Sequence, residues 1–257
     1  MLPFLSVFGH SVPMYGLCIV FGTAMGIFLL SRPYFRYGFA ADDMVYASLF
    51  AVIGAMIGSK ALYLVTMVPQ LVQFRAEIAA EPMMLFNLFQ GGFVFCGGLI
   101  GGAVGAWLYC RRYHLDSLGY FDRAVVVLPL AHAFGRIGCF CAGCCYGIPY
   151  EGIGSVTFPP GAYGLSGVAL FPVQLLEAFL NGLLFLFLIA FCRKKRGRGV
   201  LTGAYLAVYA ILRFLLEFLR YDGLRGAFLW LSTSQWISVV LLLFAVFLLL
   251  RGRKTEV

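Results

Sequence analysis

Seven mostly apolar runs follow one another along this chain, each close to the length a helix needs to cross a bilayer, and no long polar segment separates them. A crossing helix takes about 20 such residues. The runs are Met14–Ser31, Met44–Val68, Gly91–Cys110, Tyr120–Gly138, Val173–Cys192, Gly199–Leu219 and Leu231–Leu250. The composition agrees: 62% of residues are hydrophobic and 12% are charged, whereas a soluble domain carries roughly 25% charged residues. The pattern predicts an all-α integral membrane protein, a polytopic bundle of about seven transmembrane helices in a single domain over 1–257. The first run lacks the basic flank and small-residue cleavage site of a secretory signal peptide, so it reads as a retained helix.

Basic residues orient the chain, because short cytoplasmic loops are enriched in Lys and Arg. Arg32 and Arg36, Arg111 and Arg112, "RKKRGR" from Arg193, and "RGRK" from Arg251 all follow odd-numbered runs. The expectation is an N-terminus outside, a C-terminus in the cytoplasm, and a multi-pass place in the cytoplasmic membrane. The net charge of +8 is then a topology signal and not a nucleic-acid footprint. This orientation puts 139–171, rich in Gly and Pro and too broken to span, in an extracytoplasmic or re-entrant head.

Glycines predict how the helices meet. Gly97, Gly101 and Gly105 recur every fourth residue, with Gly98 and Gly102 beside them, and Gly22/Gly26 and Gly54/Gly58 repeat the spacing. Small residues at that interval let backbones approach closely.

Function is sought where polar groups sit in hydrocarbon at high cost. In "YAILRFLLEFLRYDG", Arg213, Glu217 and Arg220 stand at i, i+4 and i+7, which predicts one helical face with two guanidinium groups around one carboxylate. One acid cannot neutralise two arginines, and a planar donor fork suits phosphate. Lys60, Gln90, His132, Arg136, Gln174 and Glu177 add to the inventory. Together they predict a polar cavity in the membrane that takes an anionic guest, of which a phospholipid headgroup is the commonest.

The loop "FGRIGCFCAGCCYG" holds Cys139, Cys141, Cys144 and Cys145. The spacing matches a structural zinc site only in part, because such sites pair two separated elements. Disulfide or packed structural thiols come first among the readings, a redox or thiol-transfer role second and a metal third. No metal and no cofactor are assigned.

The ordered pieces "YGL" at Tyr15, "IGSKALY" through Lys60, "GGFVFCGGLIGG" from Gly91, "GRIGCF" from Gly135, "FPVQLLEA" from Phe171, "RFLLEFLRYD" from Arg213, and Gln235 in the last run resemble the bacterial prolipoprotein diacylglyceryl transferases. The resemblance covers most of the chain. It implies an enzyme of the inner membrane that moves the diacylglyceryl group of phosphatidylglycerol onto the lipobox cysteine of a lipoprotein precursor. It also implies that Arg136, Arg213 and Arg220 hold the phosphate and the developing charge; Tyr15, Lys60, Gln174 and Glu177 are expected to line the substrate site. Where the family pattern reads Phe-His-Gly-Gly, this chain has Phe95-Cys96-Gly97-Gly98, and Cys139, Ala142 and Cys144 stand at the loop's Asn, Asn and Glu positions. A general base is therefore sought among His132, Glu217 and a thiolate at Cys96. The alternative from another class is a membrane thiol oxidoreductase or metal-responsive protein using the four clustered cysteines.

Overall fold

In the computed structural model of the chain, residues 3–7, 10–75, 81, 83, 92–159, 165, 167–194, 196–221 and 227–253 are described. The described residues are mostly helical. The helices are α1 (Met14–Leu30), α2 (Pro33–Arg36), α3 (Ala41–Gln73), α4 (Phe95–Arg112), α5 (Ser117–Ala142), α6 (Val173–Phe191), α7 (Val200–Leu216) and α8 (Thr233–Arg253). Among the described residues six short strands pair as three antiparallel ribbons: β1 (Phe4–Val7) with β2 (His10–Pro13), β3 (Val156–Thr157) with β4 (Ala169–Leu170), and β5 (Ala227–Phe228) with β6 (Leu231–Ser232).

Each of the seven apolar runs thus has a helix, although the helices start and stop elsewhere. Among the described residues five segments are long and apolar enough to cross a membrane: Ala41–Gln73, Ser117–Ala142, Val173–Phe191, Val200–Leu219 and Thr233–Gly252. At 1.5 Å per residue the other two, α1 and α4, reach about 26 and 27 Å. Ile57, Leu186 and Leu243 are each at least 60% exposed, which suits faces turned to lipid. The chain is an integral membrane protein by these features. Gln90 lies outside the described residues.

The helices gather into two compact units, Met1–Tyr37 with Phe121–Val257, and Gly38–Tyr120. In the smaller unit α3 packs along α4. Added Cβ atoms at Gly54, Gly58 and Gly101 would run into the facing backbone at Gly101, Gly97 and Gly54 respectively. This is the close approach that the glycine spacing predicted. Asp42 and Asp43 occupy the first turn of α3 and Arg111 and Arg112 the last turn of α4, each complementing its helix dipole.

The larger unit also uses small residues, with Gly22 of α1 against Ala131 and Phe134 of α5, and Gly138 of α5 against Tyr15 and Cys18. Polar caps then fix the other helices. Asp122 accepts hydrogen bonds from the backbone N–H groups of Gly199 (2.6 Å) and Thr202 (2.8 Å) and from the Thr202 hydroxyl (2.7 Å), so a carboxylate of α5 caps α7. Helix α8 opens with a reciprocal cap: the Ser232 N–H donates to Gln235 Oε1, and the Gln235 N–H donates to Ser232 Oγ.

Two expectations are corrected here. The cysteine segment does not leave the helix at Cys139. Helix α5 runs on to Ala142, so Cys139 and Cys141 are helical and the turn begins after them. The face expected for Arg213, Glu217 and Arg220 is broken as well, because α7 ends at Leu216, tightens into a 3₁₀ turn at Glu217–Leu219, and leaves Arg220 extended at φ −95° and ψ 144°. A helical i+7 relation no longer holds.

Candidate active site

The turn after α5 is built to hold position. Gly143 and Cys145 both take left-handed backbone, with φ of 75° and 59°. The Cys144 N–H donates to Cys139 O (3.1 Å), and Gln174 Nε2 donates to Cys144 O (2.8 Å). The chain then runs between two extended partners: Gly147 N–H donates to Phe171 O, Ile148 N–H to Leu219 O, and Tyr221 N–H to Tyr146 O. A Cβ at Gly147 would stand 2.6 Å from Phe171 O and 2.8 Å from Leu219 O, so this crossing needs glycine. Beneath it the rings of Phe140 and Tyr146 meet Phe158, which is 1% exposed. This ladder sets Arg220 beside the cysteine turn.

Charge converges there. Glu177 on α6 is 1% exposed, and a buried carboxylate must be paired. Its Oε1 lies 3.0 Å from Arg136 Nε and 3.5 Å from His132 Nε2, and its Oε2 lies 3.7 Å from Arg220 Nη1. Arg136 Nε also donates to His132 Nε2 at 3.2 Å. A nitrogen that accepts from arginine carries a lone pair, so the network assigns His132 as neutral with its proton on Nδ1. The His132 ring lies 5.8 Å from that of Tyr209.

A second cluster sits at the end of α7. Arg213 Nη2 lies 2.8 Å from Glu217 Oε2 and donates to Ser234 Oγ at 2.9 Å. Arg213 interacts electrostatically with His132, which links the two clusters. Among the described residues Arg213 Nη1 and Gln174 Oε1 are buried with no hydrogen-bond partner. Three guanidinium groups face two carboxylates and border the cysteine turn in a buried setting.

The thiols border the same network. The Sγ atoms of Cys139, Cys144 and Cys145 lie within 4.8 Å of one another. Hydrogen bonds from the Cys139 and Cys144 thiols hold the Cys145 thiol well below the usual range, with Arg220 and Arg136 adding to the effect. Tyr15, in the first turn of α1, interacts electrostatically with these three cysteines and with Arg136. Cys141 turns away from that cluster and interacts with Cys18 of α1.

The expected site residues therefore separate by place. Arg136, His132, Gln174, Glu177, Arg213, Glu217, Arg220 and Tyr15 belong to the larger unit with the cysteine turn. Lys60 and Cys96 belong to the smaller unit. Lys60 Nζ lies 5.0 Å from the Tyr63 ring centroid and 5.2 Å from that of Phe93, a cation held over aromatic faces. Cys96 is exposed in the first turn of α4. Two residues were missed. Ser234 carried no signal beyond its place in a capping sequence. Asn181, 3% exposed and donating to Glu177 O at 2.8 Å, was visible as an amide in an apolar run four residues after Glu177.

A family model described as prolipoprotein diacylglyceryl transferase matches residues 3–251. The chain is 34% identical over 252 residues to phosphatidylglycerol–prolipoprotein diacylglyceryl transferase 2 of Clostridium perfringens, covering 96% of this chain and 95% of that one. It is 34% identical over 241 residues to the phosphatidylglycerol–prolipoprotein diacylglyceryl transferase of Clostridium tetani, covering 94% and 93%. The enzyme of the same name from Nitratidesulfovibrio vulgaris is 34% identical over 248 residues, covering 93% and 89%.

Proposed function

The chain belongs to the prolipoprotein diacylglyceryl transferase family, and from that premise we propose that it transfers the diacylglyceryl group of phosphatidylglycerol to a cysteine thiol of a lipoprotein precursor. The observation that carries this reading is the buried set of three arginines against two carboxylates. It matches a substrate that enters with a phosphate and leaves as a more highly charged one.

The reaction breaks the bond between the glycerol carbon and the phosphate oxygen and forms a bond from that carbon to sulfur. Glycerol phosphate leaves with the bonding electrons, and the thiol proton goes to a base. Arg136, Arg213 and Arg220 serve the developing charge, because fixed cations in a dry site stabilise it without reorganising. Glu177 keeps Arg136 and Arg220 in register, and Glu217 and Ser234 do the same for Arg213. Of the three base candidates, His132 has the best support. Its Nε2 lone pair faces Arg136, and it is freed when that guanidinium turns to phosphate. Glu217 is committed to Arg213. Tyr15 and Gln174 complete the substrate-binding set of this unit.

The distribution of basic residues supports seven crossings in one membrane domain, an N-terminus outside and a C-terminus in the cytoplasm. The acceptor then carries its lipobox cysteine to the outer side of the cytoplasmic membrane, the side on which α5 ends. The test is a transfer assay in nanodiscs with acyl-labelled phosphatidylglycerol and a lipobox peptide, read by mass. The expected result is a thioether-linked diacylglyceryl peptide with an equal yield of glycerol phosphate. Folded protein that yields neither product would overturn the reading.

A further inference from the structure

We propose that Cys139, Cys144 and Cys145 form a three-thiolate site for a soft metal ion, with copper(I) as the ion whose chemistry it fits. The site goes beyond the transfer reaction and uses none of its steps. In the linear sequence the cysteines match a metal motif only in part. The fold changes this, because α5 and the following turn bring Cys139 to Cys144 and Cys145 and send Cys141 toward Cys18.

Geometry, ligand type and charge each support the assignment. A metal about 2.3 Å from each of three sulfurs in a plane sets them about 4 Å apart. The three Sγ atoms already lie within 4.8 Å, so the widest pair needs to close by about 0.8 Å at most. The turn is held to this shape by the Cys144 N–H bond to Cys139 O and by Gln174 on Cys144 O. Left-handed backbone costs a residue with a Cβ, and Cys145 pays that cost at φ 59°, with its thiol next to the other two.

The ligand atoms are all sulfur. Among the described residues the cluster contains no imidazole and no carboxylate. Thiolate sets select copper(I), zinc or iron–sulfur groups over hard cations such as Mg²⁺ or Ca²⁺. Structural zinc takes four protein ligands, and three favour an ion content with low coordination. Three thiolates and one copper(I) leave two negative charges, and both Arg136 and Arg220 interact electrostatically with Cys145. Those guanidinium groups offset the charge that would otherwise be costly to bury. On binding, the protons that the thiols still carry pass to solvent and copper stays in the +1 state, so no electron donor or acceptor is required. Cys144 and Cys145 are partly exposed, which leaves the ion a way in.

The test uses the full chain in nanodiscs, reduced with a phosphine under argon and titrated with copper(I) held by the chromophoric chelator bicinchoninate. One copper(I) per chain is expected to leave the chelator. Affinity is expected to fall at least 100-fold in Cys139→Ser and in Cys145→Ser and to stay unchanged in Cys141→Ser. No uptake by the reduced, folded protein would overturn the proposal, and so would uptake unaltered in both serine variants or a preference for zinc(II). A second measurement needs no variant: bound copper(I) is expected to shield the partly exposed Cys144 and Cys145 from maleimide while Cys96 still reacts, and equal labelling of Cys144 and Cys145 with and without copper would also overturn it. Neither readout needs phosphatidylglycerol or a peptide, so failure of the transfer assay and failure of the metal site are separate results.

Discussion

Helices α3 and α4 meet through glycine, whereas α5, α6 and the end of α7 meet through charge. Both solve one problem: in a bilayer there is little hydrophobic gain in bringing apolar helices together, so packing or polar bonds must do it. The glycine seam brings backbone to backbone at Gly54, Gly58, Gly97 and Gly101 and needs no polar side chain. The charged region buries Glu177 among Arg136, His132 and Arg220. That costs desolvation, and a plain helix contact has no need of it. Buried charge is therefore the better guide to chemistry.

The largest expected break in this contrast is Glu177→Gln. It leaves Arg136 and Arg220 buried without their carboxylate, a loss of about 3–5 kcal/mol for a broken buried pair. Transfer is expected to fall by at least ~100-fold, with a lowered thermal unfolding temperature in nanodiscs. Next comes Arg213→Lys, which keeps the charge but loses the planar fork that reaches Glu217 and Ser234. Single-turnover kinetics are expected to slow by about 10- to 100-fold with the unfolding temperature little changed. A rate near wild type would detach Arg213 from the phosphate clamp.

Smaller effects belong to the seam. Gly101→Val drives a side chain into the Gly54 backbone, and overpacking of this kind costs about 1–3 kcal/mol. Thermal unfolding should register it. A matched control is Gly182→Ala on α6, where an added Cβ meets nothing within 4 Å. That change is expected to stabilise by about 0.5–1 kcal/mol through the unfolded chain. If both substitutions gave equal losses, the glycine seam would not be the reason α3 and α4 pack.

How much of this the sequence revealed follows the same division. The seam was legible because glycine at every fourth residue is a local pattern with one physical meaning. The helices over the apolar runs were legible from apolar length, with ends displaced by a few residues, as at α5, which continues to Ala142. The charged site was legible as an inventory and not as an arrangement. Arg213, Glu217 and Arg220 looked like one helical face, and nothing in their spacing showed that α7 would tighten and release Arg220 to Glu177, more than forty residues away in sequence. The thiol cluster failed for a related reason. Spacing alone could not tell that α5 continues to Ala142, which separates Cys141 from Cys139, Cys144 and Cys145.

The most direct test of the central claim compares transfer by the unaltered protein, Arg136→Ala and Arg136→Lys, each folded in nanodiscs with acyl-labelled phosphatidylglycerol and a lipobox peptide. The account predicts a diacylglyceryl adduct from the unaltered protein, none above background from Arg136→Ala, and only a small residue from Arg136→Lys. An adduct formed equally well without the Arg136 guanidinium would contradict it.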